Sequence, residues 1–241
     1  DLATRLKWAA GCAVVAALLV AWAKGGLGIV GVAGLLMAFW IVAAVATDLV
    51  ERLRPAGGVR ASIVHRARQI PRAMAGMMLA HLGIAVFILG VTLVRTGEVE
   101  RDVQMGPGDT TTIGDLVFTF RGASDVRGPN YRAAQGEVVV TRGDRVVATL
   151  RPEKRFYPAS QSTMTEAAIR PGLTRDLYVS LGEPIANSPA WIVRVYVKPF
   201  VDWIWGGCLI MALGGALAAS DRRYRARVRE RSAAAIAAAS A

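Results

Sequence analysis

Residues 77–90 read MMLAHLGIAVFILG, the middle of an apolar run from Ala73 to Val94 in which His81 is the one ionisable side chain. The run is 22 residues long. At about 1.5 Å rise per residue, a helix of that length crosses a hydrocarbon core of roughly 30 Å. Three more runs flank it: Gly25–Thr47 at full length, and the shorter Trp8–Ala23 and Trp203–Ala219. All are rich in Ala, Leu, Val and Gly and lack internal charge. A water-soluble core does not produce four such runs in 241 residues. The expected fold is a membrane α-helical protein with four transmembrane helices and one inserted β domain.

The first run has a second reading. Arg5 and Lys7 precede it, and Ala21-Trp22-Ala23 resembles a signal-peptidase site. The next run begins after Lys24 alone, which favours a tight helical hairpin. The sequence does not begin with Met, so the chain is expected to be a piece of something longer.

Basic residues set the orientation. Residues 48–72 carry Arg52, Arg54, Arg60, Arg66, Arg68 and Arg72, and the tail after Ser220 carries Arg222, Arg223, Arg225, Arg227, Arg229 and Arg231. Both segments are expected in the cytoplasm, with Arg5 and Lys7 in agreement. The net charge of +11 is thus mostly a matter of topology and membrane lipid. It gives no reason to expect nucleic acid. Residues 95–197 hold 13 basic and 12 acidic side chains, a balance of +1.

The expected organisation is therefore three transmembrane helices in 1–94 with a basic cytoplasmic loop at 48–72, a β domain of about 100 residues at 95–197 on the opposite side, a fourth transmembrane helix at 198–220, and a basic cytoplasmic tail at 221–241. Strand signals support the β domain. GEVVVT and RVVATL flank Arg142-Gly143-Asp144, a hairpin turn between β-branched runs. LVFTF, LYVSL and WIVRVYV are rich in strand formers. The Arg-Gly-Asp triplet is read as that turn rather than as an adhesion signal.

Soluble-enzyme chemistry is not visible. Cys12 and Cys208 lie in separate spans, with no C-x-x-C for thiol exchange, zinc or covalent haem attachment. No phosphate loop, H-E-x-x-H or nucleophile elbow is present. That leaves His81. One reading is an interhelical hydrogen bond to Thr47, Thr92 or a backbone carbonyl. The other is functional, a proton relay or a metal ligand, because intramembrane ionisable groups lean toward function. Haem iron needs only one histidine per face.

The rest of the helix suits either a packed neighbour or a flat ligand. Gly76, Ala80, Gly83, Phe87 and Gly90 form a stripe at spacings of three and four, where a helix or a porphyrin edge can approach the backbone. Met74, Met77 and Met78 fall on the side of His81, as pocket lining or as gap-fillers.

MMLAHLGIAVFILG followed by VERDVQMGPGD resembles the C-terminal part of the CcmF family, the haem lyase component of bacterial cytochrome c maturation. So do PEKRFYP, MTEAAIRPGLTRDLYVSLGEP, WIVRVYVKPFVDWIWGGCLIMALGG and DRRYR, in order from about Gly76 to Arg225. The resemblance implies a multi-pass protein of the bacterial inner membrane whose β domain lies in the periplasm. It implies haem b held between two span histidines, with His81 in AHLG as one axial ligand and Gly76, Met77, Met78, Gly83 and Ile84 as pocket residues. It also implies transfer of haem from the chaperone CcmE to apocytochrome c, beside CcmH-type subunits.

The family's Trp-rich periplasmic segment and its other span histidine have no counterpart here. His65 sits among arginines and is read as a solvated polar residue. The chain is therefore expected to be the C-terminal portion, a piece or one half of a split protein, incomplete as an enzyme by itself and with no catalytic residue assigned. The competing expectation is a non-catalytic scaffold or docking subunit in which His81 is structural. RPEKRFYP, with Arg151, Lys154 and Arg155 around Glu153, is read as a solvated strand-turn edge or as a grip on haem propionates or a partner. Trp191, Trp203 and Trp205 mark the point of re-entry into the membrane.

Overall fold

The computed structural model describes residues 2–23, 25–54 and 62–221, without the side chains of residues 2–6. Lys24, Arg60 and the basic tail 222–241 lie outside the described residues. The chain divides into two compact units. One is helical and joins the residues up to Thr96 with those from Trp203; the other is Gly97–Asp202.

The helical unit contains α1 (Leu2–Ala23), α2 (Ile29–Leu53), α3 (Ile63–Gln69), α4 (Arg72–Gly97) and α5 (Val201–Ala219). Three of them, α2, α4 and α5, are long and apolar enough to cross a membrane. The apolar part of α1, Lys7–Ala23, is shorter. At about 1.5 Å per residue it reaches roughly 25 Å, less than a hydrocarbon core. The described residues thus supply three helices of spanning length where the sequence suggests four.

The four long helices pack through small residues. In α1 an alanine at every fourth position (Ala9, Ala13, Ala17, Ala21) is buried, and this stripe meets α2. The turn between them is closed by Gly25 N–H donating to Trp22 O at 3.0 Å and Gly26 N–H to Ala21 O at 2.9 Å. These bonds delay the second helix to Ile29, past the expected start at Gly25. The helix then continues beyond Thr47 to Leu53, where Asp48 and Arg52 form an i, i+4 ion pair of 2.9 Å. The segment expected as a loop also holds α3, whose start is capped by Ser62 Oγ accepting from His65 N–H at 3.2 Å.

The pair α4–α5 packs backbone against backbone. A Cβ built on Gly76 would stand 2.4 Å from Ala218 N, one on Gly83 2.6 Å from Met211 N, and one on Gly90 2.8 Å from Ile204 N. From the other side, a Cβ on Gly207 would stand 2.6 Å from Phe87 N and one on Gly214 2.4 Å from Ala80 N. The stripe Gly76, Ala80, Gly83, Phe87 and Gly90 therefore faces an antiparallel stripe of α5. Near the other end of α4, Gly31 and Gly34 of α2 approach Thr96 and Thr92. At the first turn of α4 the Ala73 N–H, an orphan donor of the helix start, is met by Asp221 Oδ2 at 3.0 Å.

The second unit is a β-sandwich. Its strands are β1 (Val99–Met105), β2 (Thr110–Ile113), β3 (Leu116–Arg127), β4 (Arg132–Arg142), β5 (Arg145–Leu150), β6 (Glu153–Tyr157), β7 (Ser162–Glu166), β8 (Ala168–Arg170), β9 (Arg175–Pro184) and β10 (Trp191–Pro199). One sheet has the order β1-β10-β9-β8; the other runs β2-β3-β4-β6-β7, with β5 also on β4. All pairings are antiparallel.

The expected hairpin is β4–β5, with Arg142 opposite Arg145 and Gly143 at φ +54°, a backbone region that favours glycine. Strand β4 is long enough to pair twice along one edge, Val138–Arg142 with β5 and Arg132–Gln135 with β6. Alternate residues point inward, so Phe118, Phe120, Val138 and Val140 from one sheet meet Leu177, Val179, Leu181, Val193 and Val195 from the other.

Candidate functional site

His81 lies on α4 five residues after Gly76. At about 100° per residue, that places it roughly 140° round the helix from the glycine stripe. It is exposed, away from the α4–α5 contact. Its Nδ1 stands 2.8 Å from Met77 O. A carbonyl oxygen only accepts, so Nδ1 carries the proton in this bond. The neutral ring then has its lone pair on Nε2, which has no hydrogen-bond partner among the described residues. Bonding of one ring nitrogen to a carbonyl is how metal-binding histidines fix tautomer and orientation.

The expected partners of His81 are otherwise engaged. Thr47 donates to Ala43 O at 2.8 Å within its own helix. Thr92 is buried against Gly34. The bond that His81 makes is to a backbone carbonyl of its own helix, so it ties no two helices together.

The other expected pocket residues separate into two groups. Gly76 and Gly83 face α5, and Met78 is buried. Met77, which is 43% exposed, and the half-buried Ile84 lie three or four residues from His81, on its flank of the helix. That flank is an apolar surface with one outward-facing nitrogen. His65 is exposed on α3, where its Nε2 lies 3.0 Å from Gln69 Nε2. Among the described residues no group of three or more His, Cys, Asp or Glu side chains is placed to hold a metal ion. A haem iron asks only one histidine of each flanking helix, and Nε2 of His81 with its apolar surround fits that demand.

The basic cluster on β6 is self-neutralised. Arg155 Nε donates to Glu153 Oε2 at 2.7 Å, its Nη1 lies 3.3 Å from Glu166 Oε1, and its guanidinium stacks 4.5 Å from the Tyr131 ring centre. The Arg155 hydrogen bond, with one from Gln135, holds the Glu153 carboxyl below its ordinary range. Arg151 pairs with Glu137, and Lys154 with Glu183. Arg175 bonds Asp115 at 2.7 Å, while Asp176 accepts from Gly172 N–H at 2.9 Å. The expected solvated strand edge is thus corrected: β6 pairs with β4 on one side and β7 on the other, and its Glu153 and Lys154 side chains are largely buried within ion pairs. Sequence reasoning missed Asp221 as the cap of α4; a carboxylate 148 residues downstream of the helix it caps leaves no local signal.

Residues 96–199 match the family model described as the CcmF C-terminal beta-sandwich, and relatives named for cytochrome c-type biogenesis protein CcmF carry the match across most of the chain.

The chain belongs to the CcmF family.

The CcmF of Pseudomonas aeruginosa is 50% identical over 196 residues, 81% of this chain and 29% of that protein. The CcmF of Pseudomonas fluorescens is 41% identical over 95% of this chain and 35% of its own length, and that of Escherichia coli 45% identical over 82% and 29%. The chain thus spans about a third or less of these CcmF relatives. A solved structure described as Cytochrome c Heme Lyase CcmF shares the fold, with a TM-score of 0.63 over 88% of this chain and 33% of that one, at 20% identity.

Proposed function

We propose that this chain is the part of a cytochrome c haem lyase in which His81 would hold the iron of a haem b within the bacterial inner membrane. The observation that carries the reading is the outward-facing Nε2 of His81 on an apolar span, its ring fixed by the Met77 carbonyl. A second histidine, from outside this chain, would share in holding the group. Met77 and Ile84 flank the ligand and keep water from it. Gly76 and Gly83 do not touch the ligand; they hold α4 against α5 and so fix the helix that bears His81. When bound, haem b supplies one-electron exchange at its iron. The apolar flank and the Nδ1–H bond then tune its potential.

The assembled protein passes haem from the chaperone CcmE to apocytochrome c beside CcmH-type subunits. The sandwich faces the periplasm and carries docking contacts rather than haem. In this arrangement α1 is the fourth, short span, completed by flanking residues at the headgroups. The basic segments between α2 and α4 and after α5 face the cytoplasm and its lipid.

The decisive test is the reduced haem b spectrum of the assembled full-length protein. His81→Ala shifts it or removes it. His81→Gly recovers part of it with added imidazole, a ligand small enough for the space left. An unshifted spectrum in His81→Ala would leave His81 a structural residue. For topology, a cysteine at position 143 in a background lacking Cys12 and Cys208 reacts with impermeant reagent from the periplasm. Reaction from the cytoplasm alone inverts the arrangement.

A further inference from the structure

The outer face of β9–β10 carries a cleft of about 330 Å³, within the range of small-ligand sites. Its floor is Tyr178, Ser180, Ile192, Arg194 and Tyr196, and the β6–β7 hairpin closes one side with Lys154 and Thr165. Tyr178 and Tyr196 meet edge to face with ring centres 5.1 Å apart. Lys198 Nζ lies 5.0 Å from the Tyr196 ring centre. Tyr196 donates its hydroxyl proton to Glu100 at 2.6 Å, which holds that ring in place.

Lys154 and Arg194 bring only donors to the cleft, and the Ser180 hydroxyl can donate as well as accept. Lys154 is largely buried, with 14% of its side chain exposed, yet it spends only two of its three protons on the protein. One goes to Gly182 O at 3.0 Å and one to Glu183. Arg194 gives Nε to Asp102 at 3.1 Å, which leaves its outer N–H groups available. Ser180 is only 5% exposed, and its hydroxyl, which lines the cleft, has no protein partner among the described residues. Since no buried side-chain polar atom among the described residues lacks a partner, the Ser180 hydroxyl is open to the cleft and free to bond a ligand. The one carboxylate in the lining, Glu183, already accepts from Lys154.

We propose that this cleft binds a carboxylate carried on an apolar body, with the carboxylate oxygens at Lys154, Ser180 and Arg194 and the body on Tyr178, Tyr196 and Ile192. A carboxylate supplies acceptors to three unspent donors and charge to two cations. Ile192 and the two tyrosine rings, with Lys198 Nζ 5.0 Å from the Tyr196 centre and 5.8 Å from the Tyr178 centre, form the apolar side of the cleft for the remainder of the ligand. Arg194 and Lys154 keep their own carboxylates, so the bound anion joins a network instead of displacing one. The carboxylate belongs either to a free organic acid or to a glutamate side chain of a partner protein. The cleft belongs to the sandwich unit and His81 to the helical unit, and the proposal does not rest on the haem reading.

The test uses the full chain in lipid nanodiscs, titrated calorimetrically with 3-phenylpropionate, with 3-phenylpropanol and with the peptide acetyl-Phe-Glu-amide. Saturable binding of the acid, weakened about tenfold or more in the alcohol, is expected. Binding of 3-phenylpropionate assigns a free acid; binding of the peptide alone assigns a partner's side chain. Ser180→Ala and Arg194→Gln, both outside the core, each weaken binding by about tenfold. Absence of binding by both carboxylates at millimolar concentration overturns the proposal. So does equal binding of the alcohol, or affinity unchanged in both variants while the tryptophan fluorescence of Trp191 shows a folded sandwich.

Discussion

The two units of this chain have opposite kinds of interior. The sandwich is filled by large side chains, with Phe118, Phe120, Leu116 and Leu181 all fully buried. The α4–α5 interface is filled by almost nothing: glycines of one helix lie on backbone atoms of the other. The difference follows from the solvent. Water drives apolar side chains into a core, at roughly 25 cal/mol per Å² removed from contact. Lipid does not distinguish a leucine on the surface from one inside, so helices in it associate by close approach and dispersion. The chain spends bulk where bulk is rewarded and removes it where only contact is.

The sharpest way to break that comparison is in the sandwich. Phe118→Ala should cost about 3–5 kcal/mol of its stability. Urea unfolding followed at Trp191 reads it, in a chain whose Trp8, Trp22, Trp40, Trp203 and Trp205 are replaced by Phe. Loss of α4–α5 pairing in the same variant would make the two interiors one cooperative unit.

Next in size is a test within two adjacent residues. Gly214→Val places a Cβ where Ala80 N lies 2.4 Å away, while Gly215 has open space around it. The first should cost about 1–3 kcal/mol and lower the thermal midpoint of the helical circular dichroism in detergent; Gly215→Val should barely move it. Equal effects would mean that the glycines matter for backbone freedom alone, rather than for approach. Asp221→Ala should follow, at about 0.5–2 kcal/mol, read by the same midpoint, because it orphans the Ala73 N–H.

The smallest effects are titrations in the sandwich. Glu153 is held below its ordinary value of 4.5 by the Arg155 hydrogen bond, so its contribution is complete above that value and lost as pH falls through the lower folded value. Glu153→Gln should flatten the acid limb of the Trp191 transition. Asp176 is raised, chiefly by burial, so it opposes folding at neutral pH and is relieved as pH falls through its folded value. Asp176→Asn should steady the sandwich at neutral pH. Each change is expected below about 1 kcal/mol.

Legibility in the sequence followed the same division. The glycine stripe of α4 is visible at 3/4 spacing because helix periodicity exposes it, and the β4–β5 hairpin is visible because Gly143-Asp144 separates two valine-rich runs. The spans were legible as composition, yet α1 falls short and α2 starts late, since composition does not report where a turn closes. Strands such as β7, Ser162-Thr-Met-Thr-Glu, carry no apolar alternation, being largely exposed at the side of the sandwich. His81 was legible as an anomaly of residue type. The direction of its ring was not, because Nδ1 is fixed by a backbone carbonyl that every residue possesses. The cleft on β9–β10 was invisible, as it brings Lys154 of one sheet beside Tyr178 and Tyr196 of the other, a meeting that no local sequence pattern records.

The seven-residue repeat of glycine on both α4 and α5 acts as a vernier. Gly76, Gly83 and Gly90 mesh with an antiparallel scale marked at Gly207 and Gly214. A slide of one turn would take these glycines out of their present register. The smallest slip that realigns the marks is seven residues, about 10.5 Å, and it forfeits part of the overlap. With Asp221 latched to the first turn of α4, the pair behaves as a keyed rod that resists piston motion. The depth of His81 along α4 is thereby indexed to α5.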